Sequence, residues 1–456
     1  WEWSRSLAPG YFDQGPGLAL AIRLGTLLLG NTQQGVRCVS VFSGFAVSGL
    51  AAWMVSSVLA VPGLAVWTVL AFNGALIFAV GGVLMMHDSL MALGWMFSLA
   101  CGLLVLRRSP RWWLGVGLGA AWALLSKYTA VLLFGCLGLG VWCVPGLRRR
   151  FRGPWAWAGL ALGILGSLAP FWWNATHGWP SFHHIGGLAG GDRNRRRGLP
   201  WLELLGSQAG LITPLLWFAC LAGWVRGLRR WRAGTDSDEE RWLLLLSLPV
   251  ALFFFALSLR TRVEGNWPSC AYLGALPLAG LWLWERARKL GQLGTGRLGT
   301  WALVVAFGMT VLTFTQALHP FLPFPQSLAK ADAPARMDGW AALGARVERE
   351  RMAMGGAGVF TATLSYQNAA ELAFYQPGQE RCALLSDGPP QNEYRFWDDY
   401  SSDLGRNAIA VAGQASDAKT LARHFQRLSA LPDEVLVRNH IEVRRTHLWR
   451  AYGFKG

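Results

Sequence analysis

The stretch HDSLMALGWMFSLACGLLVLRR, residues 87–108, decides the class of fold. Asp88 is followed by an uncharged apolar run from 89 to 106, and the run stops at Arg107 and Arg108. Its length is near the ~20 residues that a helix needs to cross a bilayer. The pattern recurs on both sides of it. Apolar runs lie at 38–59, 62–85, 89–106, 112–126, 128–147, 155–173, 206–225, 242–259, 268–284 and 298–318, which gives ten expected spans. The fourth is short, and Lys127 separates it from the fifth. Ahead of them an amphipathic stretch, 16–30, is expected to lie along the membrane interface. The sequence thus predicts a mainly α, polytopic membrane helical bundle over 1–318, followed by a small extracytoplasmic α/β domain over 319–456.

Composition agrees with this division. The 456 residues are 53% hydrophobic and 15% charged, against about 25% charged in soluble proteins, which argues against a soluble multidomain chain. Of 42 basic and 26 acidic residues, 26 and 11 fall within 1–318, so nearly all the net charge of +16 resides in the apolar part. Lys and Arg are retained on the cytoplasmic side. Taking alternate loops as inside collects Arg107, Arg108 and Arg111, then Arg148–Arg152, then Arg226–Arg241, then Arg286–Arg297. An even number of spans leaves both ends outside, including the whole polar domain from 319 onward. Six cysteines lie in or beside apolar runs and the outer domain has only Cys382, so no disulfide framework forms there. The chain begins at Trp1 and is expected to be a piece of a longer one, with a membrane helix ahead of it.

The outer face carries six acids, Glu2, Asp13, Asp88, Asp192, Glu203 and Glu264. Beside them stand Lys127, the run Arg193 to Arg197, Arg260 and Arg262, with His87, His177, His183 and His184. Charge near hydrocarbon is costly and tends to be functional. Acids beside bases at one interface suit a phosphorylated lipid: Arg and Lys hold the phosphate, and a carboxylate takes the proton of an attacking hydroxyl. Asp88, at the start of an apolar run, reads either as a helix cap or as such a carboxylate. Asp13, in Tyr11-Phe12-Asp13-Gln14-Gly15-Pro16, reads as a turn acid or as a second one. Arg260, Arg262 and Glu264 read as interface anchors or as ligands, and the Asp192–Arg197 run as a solvated loop or a lipid-headgroup contact. His177, His183 and His184 match no compact zinc spacing, so no metal site is predicted. Asn174-Ala175-Thr176 fits the glycosylation pattern by chance. Nothing points to nucleic acid.

From 336 onward a helix over 337–352, a strand over 358–362 and a helix over 366–375 are expected. Strands at 381–385, 407–412 and 434–445 and a helix over 415–428 complete a small α/β domain. It carries no phosphate loop, serine elbow or clustered metal ligands, which implies recognition or scaffolding.

These motifs together resemble the membrane glycosyltransferases of the GT-C class, family 39, which includes protein O-mannosyltransferases and the lipid A aminoarabinose transferase. The matching stretches are Trp1-Glu2-Trp3-Ser4 with Tyr11–Pro16, His87-Asp88-Ser89-Leu90, Leu125-Ser126-Lys127-Tyr128, Trp173–Trp179, Arg262–Pro268 and Ala370–Tyr375. The resemblance implies an inverting transfer of a sugar from a polyprenyl-phosphate donor to a lipid, glycan or protein acceptor at the outer side of a bacterial inner membrane, with the C-terminal domain periplasmic. It implies Asp13 and Asp88 as catalytic carboxylates and Lys127, Arg260 and Arg262 as donor-phosphate ligands. Tyr11, Gln14, His87, Glu264, Asn266 and Trp267 then line the substrate pocket. In the family a principal acid lies in the first outer loop, just ahead of Trp1. Gln14 stands where the resemblance expects a basic or imidazole side chain, and Gly15 where it expects proline. No cofactor is implied, and a divalent metal stays open. A transporter or flippase predicts ionisable groups at mid-span, which the runs lack; an inactive scaffold is the remaining alternative.

Overall fold

The computed structural model describes residues 1–189, 199–322, 333–388, 390–397 and 400–456; the Asp192–Arg197 run lies outside them. The stretch quoted above forms one helix, His87–Arg107, which starts after an extended Met86. Asp88 near its first turn and Arg107 at its end are 19 positions apart, or about 29 Å along the axis at 1.5 Å per residue. That is close to the ~30 Å thickness of a bilayer's hydrocarbon.

Among the described residues, five helices are long and apolar enough to cross a membrane: Gln33–Val58, His87–Arg107, Pro154–Thr176, Asp238–Ser258 and Gly296–Leu318. A sixth is added if Pro200–Leu211 and Pro214–Arg232, bent by 108°, make one span. Ten were expected, and the differences have local causes. The run 62–85 breaks at Ala75, whose ψ of 117° separates Ala65–Gly74 from Leu76–Gly81. Runs 112–126 and 128–147 give Trp113–Ser126 and Val131–Cys143, of 14 and 13 residues, with Lys127 extended between them. At ~20 Å each these fall short of a full crossing. The run 206–225 is interrupted by Thr213 at φ +74° ahead of Pro214, where the proline ring disfavours a continuing helix. The run 268–284 continues into Ala271–Lys289, whose last turn carries Arg286, Arg288 and Lys289.

The helices meet through small residues. A Cβ at Gly94 would lie 2.5 Å from the Gly119 carbonyl oxygen, and one at Gly117 would lie 2.0 Å from that of Gly159. Backbones therefore touch where His87–Arg107, Trp113–Ser126 and Pro154–Thr176 cross, the packing that helices in lipid favour. Trp242 is fully buried between Gly102 and Gly140, either of whose Cβ atoms would meet its ring at 2.3 Å. Its Nε1 donates to the Leu99 carbonyl at 2.9 Å. Trp242→Ala is expected to destabilise the bundle by about 3–5 kcal/mol, readable as a lowered unfolding midpoint in detergent. Outward faces are apolar: Phe42 and Phe45, Leu165 and Trp172, Trp301 and Val304 are all exposed. Helix Gly17–Leu29 buries Ala19, Ala21 and Ile22 and exposes Leu24, Leu27 and Leu28, so its outer face is leucine around a single charge, Arg23.

At the Arg107 end, basic loop residues are paired. Arg226 donates to Glu285 at 2.8 Å and to Glu240 at 3.2 Å. Arg241 pairs with Asp236 at 2.7 Å and Arg107 with Glu239 at 2.6 Å. These pairs occupy four of the five acids expected on the cytoplasmic side, and the fifth, Asp238, accepts from the Gly146 N–H at 2.8 Å.

The chain divides into two compact units, Trp3–Val311 and Leu312–Gly456 together with Trp1–Glu2. The second unit holds a five-stranded sheet: β1 Val359–Thr363, β2 Ala383–Leu384, β3 Asn407–Ala412, β4 Phe425–Arg438 and β5 Ile441–Phe454, in the order β2-β1-β3-β5-β4. The first three are parallel, and β5 and β4 add antiparallel. Alternation along β3 sends Ile409 and Val411 to one core with Leu343 and Leu372, and Ala408 and Ala410 to another with Phe425. The first helix is Trp340–Ala353, not 337–352; Ala333–Met337 is a separate 3-10 turn. The expected strand 434–445 is two strands of a hairpin, because Asn439 and His440 turn the chain with φ of +45° and +64°, a primed turn. The expected helix 415–428 is only Ala418–His424, since β4 begins at Phe425.

Candidate active site

Asp88 is the second residue of its helix. Among the described residues its carboxylate caps no backbone N–H of that helix. Lys127 Nζ donates to Oδ1 at 2.7 Å and Asn266 Nδ2 donates to Oδ2 at 3.0 Å. The ion pair is largely buried, with side-chain exposures of 8% for Lys127 and 13% for Asp88. Three separate elements are needed to make it. The helix start supplies Asp88, and the extended break after Ser126 supplies Lys127. Asn266 comes from the loop ahead of the 3-10 turn Trp267–Cys270.

His87 Nδ1 lies 2.9 Å from the Ser126 carbonyl. A carbonyl only accepts, so Nδ1 carries the hydrogen and Nε2 is left for other work. The charges of Asp13, Lys127 and Asp88 all act on His87, so the two acids expected to act share the surroundings of one imidazole. Asp13 is half-buried, and its Oδ1 is buried with no hydrogen-bond partner among the described residues. An unpaired buried carboxylate oxygen is costly, which marks it as a place for an incoming donor.

The first loop is held tightly. Tyr11 is buried, stacks on Trp3 at 4.4 Å, and donates its hydroxyl to the carbonyls of Trp3 and Ser6 at 3.0 and 3.1 Å. Gln14 Oε1 accepts from the Tyr128 N–H at 3.3 Å, immediately after Lys127. A Cβ at Gly15 would lie 2.4 Å from the Leu125 carbonyl, so the proline that the resemblance expects has no room here. Asn174 and Ser181, missed as site residues, complete the anchoring. Ser181 N–H donates to Asn174 Oδ1 at 3.1 Å, and Ser181 Oγ donates to the Tyr11 carbonyl at 3.1 Å. Asn174 is fully buried, so its acceptor pattern marks a packed amide and not a surface glycan site.

The other named residues lie elsewhere in this unit. Arg262 donates to Glu203 at 2.9 Å and pairs with Glu264 at 3.5 Å, and both acids are half-exposed. Arg260 is exposed. Trp267 packs its ring 6.1 Å from Phe254. His184 packs 5.8 Å from Phe12, and among the described residues no three His, Cys, Asp or Glu side chains gather as a metal site.

The fold is like that of ArnT, and the comparisons agree with the resemblance read from the motifs. Residues 13–173 match the family described as dolichyl-phosphate-mannose-protein mannosyltransferase. The structure is similar to that of ArnT from Cupriavidus metallidurans bound to undecaprenyl phosphate, with a TM-score of 0.61 at 17% identity over 98% of this chain and 91% of that one. It also resembles the Archaeoglobus fulgidus oligosaccharyltransferase, with a TM-score of 0.52 at 12% identity over 90% of this chain and 60% of that one. In sequence the chain is 27% identical over 303 residues to the lipid A galacturonosyltransferase RgtD of Rhizobium johnstonii, a match covering 64% of this chain and 61% of that protein. The chain thus spans about three fifths of the length of that relative.

Proposed function

We propose that this chain is an inverting glycosyltransferase that moves a sugar from a polyprenyl-phosphate donor to a lipid acceptor at the outer face of a bacterial inner membrane. The observation that carries the reading is the buried Asp88–Lys127–Asn266 cluster, with Asp13 beside His87, at one end of a membrane helix. Lys127 is the cation nearest the acids, and it supplies the positive charge that Gln14 does not. In the reaction an acceptor hydroxyl oxygen attacks the anomeric carbon from the face opposite the phosphate. The bond from that carbon to the phosphate oxygen breaks, and the electron pair leaves with the polyprenyl phosphate. Lys127 stabilises the departing phosphate, with Asp88 and Asn266 fixing the ammonium in place. Asp13 receives the acceptor's proton at its unpaired oxygen. Arg260 and Arg262, outside this cluster, act in drawing the anionic headgroup to the surface. The C-terminal domain is extracytoplasmic and serves recognition.

The supporting comparisons are the lipid A glycosyltransferase relative and the undecaprenyl phosphate bound in the structural neighbour. Vesicles carrying the full-length protein test the reading directly. With undecaprenyl phosphate linked to labelled hexose, hexuronic acid or aminopentose, label is expected to enter the lipid fraction of an envelope extract. Label entering no lipid, glycan or protein fraction from any donor would remove the proposal.

A further inference from the structure

An apolar groove of about 430 Å³ opens beside the site, walled by residues such as Val41, Phe45, Phe72 and Phe78 and ending at Asp88, Asn266 and Ser269. Ser269 is buried and its Oγ has no hydrogen-bond partner among the described residues. Along the wall the Ser43 hydroxyl is spent on the Val39 carbonyl at 2.8 Å, and one further polar pair follows: Asn73 Nδ2 donates to Ser48 Oγ at 3.1 Å and to the Val69 carbonyl at 2.8 Å. Both amide hydrogens are thereby spent. Among the described residues this leaves Asn73 Oδ1 as an acceptor and the Ser48 hydroxyl hydrogen as a donor, at a position where polar groups are costly without partners.

The depth of this pair is fixed by the helix that carries Ser48. Ser40 Oγ and Ser89 Oγ both donate to the Gly81 carbonyl, each at 2.5 Å, so Ser40 is level with the residue next to Asp88. Ser48 is eight positions further along the same helix, or about 12 Å. A polyprenyl chain is hydrocarbon below its phosphate and leaves such a pair empty. Phospholipid esters accept hydrogen bonds but donate none. An amide-linked or hydroxylated acyl chain offers one donor and one acceptor below a sugar headgroup.

We propose that this groove holds an acyl chain of the acceptor, a sugar lipid with amide-linked or hydroxylated chains, whose amide or hydroxyl seats on Asn73 and Ser48. The inference rests on the reading that the acceptor is a lipid, and it is continuous with the candidate site through Asp88 and Asn266. The test is binding to the purified full-length protein, by native mass spectrometry, of two probes: glucosamine 1-phosphate carrying N- and O-linked 3-hydroxyacyl chains, and undecaprenyl phosphate. Asn73→Leu, on an exposed groove position, is expected to weaken the acylated probe about tenfold and to leave undecaprenyl phosphate unchanged, with Ser48→Ala giving a smaller loss of the same kind. Unchanged binding of the acylated probe in both variants would overturn the inference. So would an equal loss for undecaprenyl phosphate, which would make this the donor's groove. If the wild-type protein bound no undecaprenyl phosphate, the donor reading would fall, while an Asn73-dependent acylated probe would still uphold the groove.

Discussion

Asp13→Asn is expected to lower the rate of sugar transfer by about 10²–10⁴-fold, the usual contribution of a positioned general base. The substitution keeps the shape of the side chain and removes the oxygen that takes the proton. The loss should fall on kcat, because the acceptor hydroxyl is still bound when the base is gone. The loop should keep its conformation, since Tyr11, Gln14 and Gly15 hold it independently of the carboxylate through Trp3, Tyr128 and Leu125. Initial rates at saturating donor, with an unfolding curve alongside, measure both parts. A variant rate near that of the wild type would take the proton-accepting role away from Asp13.

Lys127→Met should have two effects of different origin. Transfer is lost because the departing phosphate has no cation. The fold weakens by about 3–5 kcal/mol because Asp88 is left charged and buried with only Asn266 against it. Adding Asp88→Asn to Lys127→Met should return most of the stability and none of the activity. Thermal unfolding in detergent and transfer rates on the same preparations separate the two. Recovery of transfer in the double variant would mean that the pair is only a structural bridge within the bundle.

Much of this was legible in the sequence, and the parts that were not share a cause. Apolar runs locate helices well because hydrophobicity is a property of the local chain. Where a helix stops is less legible: Ala75 carries no breaker, yet its backbone leaves the helical region, whereas the break at Thr213 has a local cause in Pro214 that hydrophobicity passes over. The hairpin was hidden for a similar reason, since Asn439-His440 is a weaker turn signal than Asn-Gly. Asp88, Lys127 and Asn266 were named as chemistry, but Lys127 and Asn266 stand 39 and 178 positions from Asp88, which gave no sign that one carboxylate would hold both partners. The glycosylation pattern at Asn174 was set aside as chance, and the burial of that side chain agrees. Gln14 was read as a departure from the expected basic or imidazole side chain, and the structure gives it an anchoring bond to the residue after Lys127.

A structure of the protein with undecaprenyl phosphate, by cryo-electron microscopy in lipid nanodiscs, bears on the central claim most directly. A phosphate oxygen within about 3 Å of Lys127 Nζ, the separation of a charge-assisted hydrogen bond, with Asp88 still on the ammonium, is the expected result. Phosphate density resting on Arg260 and Arg262, with Lys127 and Asp88 closed on each other and far from it, would contradict the account.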